Sequence, residues 1–171
     1  MLPRELRSLV AFDGKVFNRS DRFSASDWAG YKSFWLIVEN KKVGCCAFME
    51  HVDFQHDTRA DGVNPERKGS LYIVTTGILP SYQGRGFGSL LKAFQIAYAK
   101  TNGFTRLITN TREKNAAMIA LNHKYRFRVL RTTPRYYSEP TDATVVMELR
   151  LKRRKLIPAG ALKPPAPSPR K

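Results

Sequence analysis

One stretch constrains this chain more than any other: Ile78-Leu-Pro-Ser-Tyr-Gln-Gly-Arg-Gly-Phe-Gly-Ser89, with glycines at 84, 86 and 88. Before it, Leu71 to Ile78 is apolar or β-branched on both faces, as in a central strand covered from both sides. Pro80 stops that ladder because it has no N–H to donate. After it, Phe87, Leu90, Leu91, Phe94 and Tyr98 recur at helical spacing, and Asn102-Gly103 ends the helix. Alternating glycines at a strand-to-helix junction let backbone N–H groups approach an anion at the positive end of a helix dipole. A phosphate or pyrophosphate is the natural ligand, and Arg85 adds a charge-assisted contact. Two familiar phosphate loops fit worse. No Gly-Lys-Ser or Gly-Lys-Thr is present, and the dinucleotide pattern would need a glycine where Ser89 stands.

The remaining chain reads as alternating elements. Two short helices are expected near 4–11 and 25–32, the second capped by Ser24 or Ser26. Phe34 to Glu39 and Val43 to Glu50 form a hairpin around Asn40-Lys-Lys. Residues 51–69 form a long polar loop. Phe104 to Thr109 is a strand, 115–124 a helix, and 127–132 and 144–151 the last two strands. The expected fold is α/β, a single domain over 1–151 with a mixed central sheet and helices on both faces. Residues 152–171 hold seven basic residues, no acid and five prolines, and are expected to be an extended basic tail.

The loop Gln83-Gly-Arg-Gly-Phe-Gly88, with Ile78-x-Pro80 before it and Asn115, Leu121 and Phe127 after it, resembles the signature of the GNAT superfamily of acetyl-CoA-dependent N-acetyltransferases. The likeness runs from about 34 to 151. It implies a GNAT-like fold whose sheet splays at the coenzyme slot, with acetyl-CoA as cosubstrate. Gln83, Gly84, Arg85, Gly86, Phe87, Gly88 and Ser89 would hold the pyrophosphate. Ile78 and Leu79 would meet the pantetheine and offer backbone donors to the oxyanion, and Asn115 would face the coenzyme.

The resemblance also implies an acid on the sulfur side and a base on the amine side. Many relatives carry a tyrosine seven residues after the helix asparagine; here Asn122 stands there, able to donate a hydrogen bond but no proton. A Gly-Phe pair usually ends that helix, and here it is Arg126-Phe127, so Arg126 needs an unusual backbone. Relatives place an acid at the position of Asn110 or near Tyr72, and neither is one here. Glu50 is the carboxylate left as candidate base, with a solvated strand-end charge as its other reading. Tyr136-Tyr137 followed by Asp142-Ala143 is similar to relatives that acetylate peptide α-amines, which makes Tyr137 a candidate for the acceptor side or the acid.

The acceptor is an amine, in a small molecule or a peptide. Freeing a lysine amine at pH 7.4 costs about 4 kcal/mol, an α-amine well under ~1 kcal/mol, so a site without an obvious base suits an α-amine. Asparagines at the acid and base positions leave a second reading, a non-catalytic acyl-CoA sensor or interaction module. The formal charge is +16, and without the tail +9, which steers anions toward the surface and disfavours polyamine acceptors. Nucleic acid is disfavoured as partner, because no basic helix interleaved with aromatics is present. No run approaches the length of a membrane span, no secretory signal opens the chain, and the paired Cys45 and Cys46 offer neither a metal spacing nor a disulfide framework. No metal and a cytoplasmic setting are therefore expected.

Overall fold

The computed structural model describes residues 3–54, 63–64 and 68–151. The expected basic tail, and most of the expected 51–69 loop, lie outside the described residues. The elements are helix α1 (Pro3–Val16), α2 (Ala25–Gly30), strands β1 (Lys32–Val38), β2 (Lys41–Glu50), β3 (Asp53–Phe54), β4 (Val63–Asn64) and β5 (Ser70–Ile78), α3 (Phe87–Thr101), β6 (Arg106–Arg112), α4 (Ala116–Lys124), β7 (Arg128–Ser138) and β8 (Thr141–Arg150). Six strands form one mixed sheet in the order β1-β2-β5-β6-β8-β7, and β3 pairs with β4 separately. Only β5 and β6 pair in parallel within the large sheet; α3 is their crossover.

Both faces of the sheet are covered. Leu9 and Phe12 of α1 and Trp28 of α2 pack on Cys45 and Ala47. On the other face Leu91 and Ala99 of α3, with Phe127 after α4, pack on Cys46, Phe48 and Ile73. Adjacent cysteines thus point into opposite cores, as strand alternation requires, and both are free thiols. Ser24 caps α2 in a reciprocal box with Asp27.

Two expectations change. The first helix runs on to Val16 rather than ending at 11. The segment 132–143 is not a loop: β7 continues to Ser138 and turns tightly into β8. Its β-branched and aromatic residues suit a strand, and the ladder shifts register between Thr133 and Tyr137, where Pro134 cannot donate.

The feature that positions the site is a split between the two central strands. β5 and β6 pair from Ser70↔Arg106 to Ile73↔Thr109 and no further. Beyond that point β5 stays on β2 as far as Ile78↔Gly44, while β6 stays on β8 as far as Arg112↔Thr144. Each strand follows its outer neighbour, so a gap opens between them. The register on β2 shifts at the same place, between Ala47 and Phe48, leaving Val74 as an extra residue in β5. A bulge bends and twists its strand, which turns β5 away from β6.

Candidate active site: a split sheet between a glycine cradle and an aromatic cavity

At one mouth of the gap lies the glycine loop. Gly84 and Gly86 take left-handed backbones, φ +74° and +85°, and an added Cβ on either would meet nothing within 4 Å. The loop therefore presents bare main chain to open space, and Gly86 is the N-cap of α3, whose first N–H groups have no intrahelical partner. Gly84, Arg85 and Gly86 are exposed. Phe87 packs toward the core beside Tyr82, and Ser89 O accepts the Tyr125 hydroxyl at 2.8 Å, tying α3 to the end of α4. This is a built anion cradle: open, rich in donors and at a helix start. A coenzyme diphosphate fits it.

The edge of β5 supplies the rest of the slot. Leu79 N donates to Val43 O at 2.9 Å. In an antiparallel ladder alternate residues turn their main-chain groups outward, so those of Thr76 and Ile78 point away from β2 and into the gap. This sharpens one expectation and corrects another. Ile78 N–H faces the slot; Leu79 N–H does not, because Val43 already holds it. Gln83 braces the strand end, its Nε2 donating to Ile78 O at 3.1 Å.

At the other mouth is a cavity of about 380 Å³. Phe17 and Phe23 of the α1–α2 connection, Tyr72, Val74 and Thr76 of β5, Asn110 and Arg112 of β6, Asn115 and Met118 at α4, and Tyr136 and Tyr137 of β7 line it. One hydrogen-bonded unit forms part of this lining. Tyr72 donates its hydroxyl to Asn110 Oδ1 at 2.6 Å. Asn110 Nδ2 donates to Tyr137 Oη and to Thr144 Oγ1, both at 3.2 Å. Burial pushes the phenols of Tyr72 and Tyr137 above their ordinary range, so both stay protonated at neutral pH. Arg112 sits 4.0 Å over the Tyr137 ring and holds Asp21 with two nitrogens, Nη2 to Oδ1 at 2.7 Å and Nε to Oδ2 at 2.9 Å. It also donates to the carbonyls of Glu139 and Pro140, so one side chain joins the α1–α2 connection to the β7–β8 turn. Asp21 is the carboxylate among the lining residues, and its oxygens are spent on Arg112.

Three sequence candidates move. Glu50 does not line the cavity: it pairs with Leu71 at the closed end of the split, and its Oε1 accepts from Tyr98 and from Lys32 Nζ. Those bonds, Tyr98 first, hold its carboxyl below the usual range, which makes it a weaker base. Asn122 is fully buried and absent from the cavity lining; its Nδ2 donates to Met147 Sδ at 3.4 Å and its Oδ1 has no partner. Asn115 lines the cavity, but its Oδ1 caps α4 by accepting Met118 N at 3.1 Å. Tyr137 is among the lining residues of the cavity. Arg126 adopts φ +66°, the conformation that replacing a glycine there demands. Tyr72 and Arg112 were missed because each reads as ordinary strand sequence. The signal for Tyr72 was a phenol inside a run whose other residues are aliphatic, threonine or glycine.

Residues 4–126 match the model of the acetyltransferase (GNAT) family, and the chain belongs to that family. Its coenzyme, acetyl-CoA, suits the cradle and the free β5 edge. In sequence the chain is 30% identical over 88 residues to the probable N-acetyltransferase san of Drosophila melanogaster, half of this chain and 48% of that protein. The match thus spans about half of that relative. In structure it is similar to the ribosomal-protein-S18-alanine N-acetyltransferase of Escherichia coli, with a TM-score of 0.72 at 17% identity over 92% of this chain and 94% of the other. A Bacillus subtilis acetyltransferase solved with CoA gives 0.67 at 16%, over 89% and 95%. Among the described residues no helix is long and apolar enough to cross a membrane.

Proposed function

We propose that the protein moves the acetyl group of acetyl-CoA to a primary amine, the α-amine of a peptide or protein, by direct attack in a ternary complex. The observation that carries this reading is the split itself, with an open glycine loop at one mouth and an aromatic cavity at the other. Coenzyme and amine would enter from opposite sides and meet between β5 and β6. The amine lone pair attacks the thioester carbonyl, and the N–H groups of Thr76 and Ile78 would receive the negative charge that develops on its oxygen. The choice of an α-amine rests on the lining carboxylate being tied to Arg112. With no free carboxylate base there, an amine already largely neutral near pH 7.5 is the better nucleophile. Tyr136-Tyr137 and the two N-acetyltransferases similar to this chain, one named for an alanine of a ribosomal protein, support the same reading. The aromatic walls suit an apolar first side chain.

The test compares a peptide with a free α-amine against one whose α-amine is blocked and whose lysine is free. The free α-amine should give a kcat/KM at least ~10-fold higher, and a preference for lysine would overturn the acceptor assignment. Calorimetry tests the cradle: Gly86→Trp should abolish acetyl-CoA binding while circular dichroism stays unchanged. The buried amide at 122 favours one competing reading, a non-catalytic acyl-CoA sensor. Tight acetyl-CoA binding without turnover over a broad panel of amines and peptides would establish it.

A further inference from the structure

Behind the split, on the α3–α4 side, lies a second polar cluster that the acceptor chemistry does not use. Lys92 and Gln95 are one turn apart on the inner face of α3, and both are fully buried. Lys92 Nζ has no hydrogen-bond partner; it rests 5.1 Å over the Phe127 ring. Gln95 Nε2 donates to Thr76 Oγ1 at 2.7 Å, and its Oε1 has no partner. Asn122 Oδ1 is the third orphan. The placement follows from the helices. A Cβ on Gly88 would touch Leu121 Cδ2 of α4 at 3.5 Å, and Lys92 lies one turn further along that face, about 6 Å deeper. Lys92 therefore sits in the seam between α3 and α4, and Gln95 links the seam to the unpaired half of β5. Thr76 belongs to the cavity lining as well, so the seam abuts the gap.

A buried ammonium without a partner is costly and invites a reason. Position 122 carries an amide, which has no proton to give, and Lys92 is a proton-bearing group in the same seam. We propose that Lys92 is the acid of the slot, giving an Nζ proton to the coenzyme sulfur as it leaves. The inference rests on the transferase reading above. In the step, the amine nitrogen forms the C–N bond and the C–S bond breaks, its electron pair going to sulfur. Sulfur takes the proton from the Lys92 ammonium, leaving a neutral amine and CoA thiol. The proton lost from the attacking nitrogen passes to solvent, and Lys92 is recharged from solvent after the products depart. Burial lowers the Lys92 amine to about 7, so near neutral pH it is able both to give and to regain a proton. Cys46 on β2 is the titratable neighbour that Lys92 feels, and burial holds that thiol up at about 12, so it stays neutral. The partners of the other two members of the cluster, Thr76 for Gln95 and Met147 for Asn122, do not titrate.

NMR of lysine-¹³Cε-labelled protein tests this without turnover. Lys92 should titrate near pH 7, and CoA thiol, neutral there, should lower its midpoint by about half a unit or more by donating its S–H to the free amine. Desulfo-CoA, which lacks that sulfur, should not. Lys92→Met should lower kcat about 100-fold with KM for acetyl-CoA within about threefold, and should erase the fall in rate at alkaline pH. Adding Asn122→Tyr to that variant should restore part of the loss by returning a phenol to the seam. Equal responses to CoA and desulfo-CoA would overturn the proposal, as would a Lys92→Met enzyme with unchanged kcat and alkaline limb. Should the variant fail to fold, the wild-type titration decides. A wild-type protein that does not bind acetyl-CoA in calorimetry removes the transferase reading and this inference with it. Binding with an unresponsive lysine removes this inference alone.

Discussion

Two polar clusters flank the same gap, and they differ in how completely their atoms are paired. On the cavity side, the side-chain amide of Asn110 is used in full, accepting from Tyr72 and donating to Tyr137 and Thr144. On the helix side, Lys92, Gln95 and Asn122 leave Nζ, Oε1 and Oδ1 without partners. They differ in burial as well: Lys92, Gln95 and Asn122 are fully enclosed, whereas Asn110 and Tyr137 are half-buried against the cavity. A satisfied network fixes the shape of a wall, because every rotation breaks a bond. An unsatisfied one costs stability and leaves groups available to something that arrives later. The first cluster suits a surface that must recognise an acceptor, and the second suits one that must respond to charge.

The sharpest break of this contrast is in stability rather than rate. Lys92→Met should stabilise the protein by ~3 kcal/mol near pH 6, measured by urea unfolding. The sign follows from proton counts. The unfolded lysine holds its proton up to about pH 10.4, whereas the folded one releases it near 7, so wild-type stability rises with pH across that window. The advantage of the variant should shrink as pH climbs from 7 to 10. A gap that stays flat with pH would mean that Nζ keeps its proton in the folded protein as it does in the unfolded chain. Asn110→Leu should act in the opposite sense, costing about 2–3 kcal/mol, because the hydroxyls of Tyr72, Tyr137 and Thr144 lose a shared partner. Combining it with Tyr72→Phe should cost less than the two separate losses together, since one orphan disappears.

Backbone strain gives a smaller effect outside both clusters. Arg126 follows α4 with φ +66°, where a side chain is disfavoured, and Arg126 N donates to His123 O at 2.8 Å. Arg126→Gly should keep that turn and raise stability by about 1 kcal/mol, read from the shift in urea midpoint. An unchanged midpoint would mean that the arginine side chain makes up the strain by contacts of its own.

The sequence disclosed the parts of this molecule that depend on backbone permission. Alternating glycines at 84 and 86, Pro80 and the two-faced run 71–78 suit few backbone settings besides a strand that ends in a bare main-chain loop, so the cradle and the central strand were readable. The arginine at 126 even announced its own conformation. What stayed hidden depends on register. Whether Leu79 or Ile78 aims its N–H into the gap turns on the one-residue bulge at Val74, and no side chain marks it. The contacts of Glu50 were equally invisible, because only the packing of α3 puts Tyr98 against it. Lys92 was hidden too: the spacing of Phe87, Leu90, Leu91, Phe94 and Tyr98 centres the apolar stripe more than about a third of a turn away from it, whereas the structure exposes Leu90 and Phe94 and turns Lys92 and Gln95 inward. A charge at such a position is the exception that a hydrophobic pattern passes over.

Glu50 offers the finest discrimination, because it is the carboxylate that a base-driven mechanism would have chosen. Its bonds to Tyr98 and Lys32 hold the carboxyl low, so its contribution to stability is present above the ordinary carboxylate range and is lost as pH falls through it. Glu50→Gln should therefore be slightly less stable than wild type at pH 7 and indistinguishable from it near about pH 3. Its half-open setting keeps even the first difference small, since water and salt screen such pairs. The rate comparison carries the weight. Glu50 lies at the closed end of the split, where β5 and β6 still pair and neither mouth opens, so kcat and its acidic limb should match wild type. A loss of ~100-fold in kcat with the acidic limb displaced would return Glu50 to the role of base and place the acceptor on the α3 side. That outcome would exchange the roles of the two clusters, because the paired one would then line no reactant.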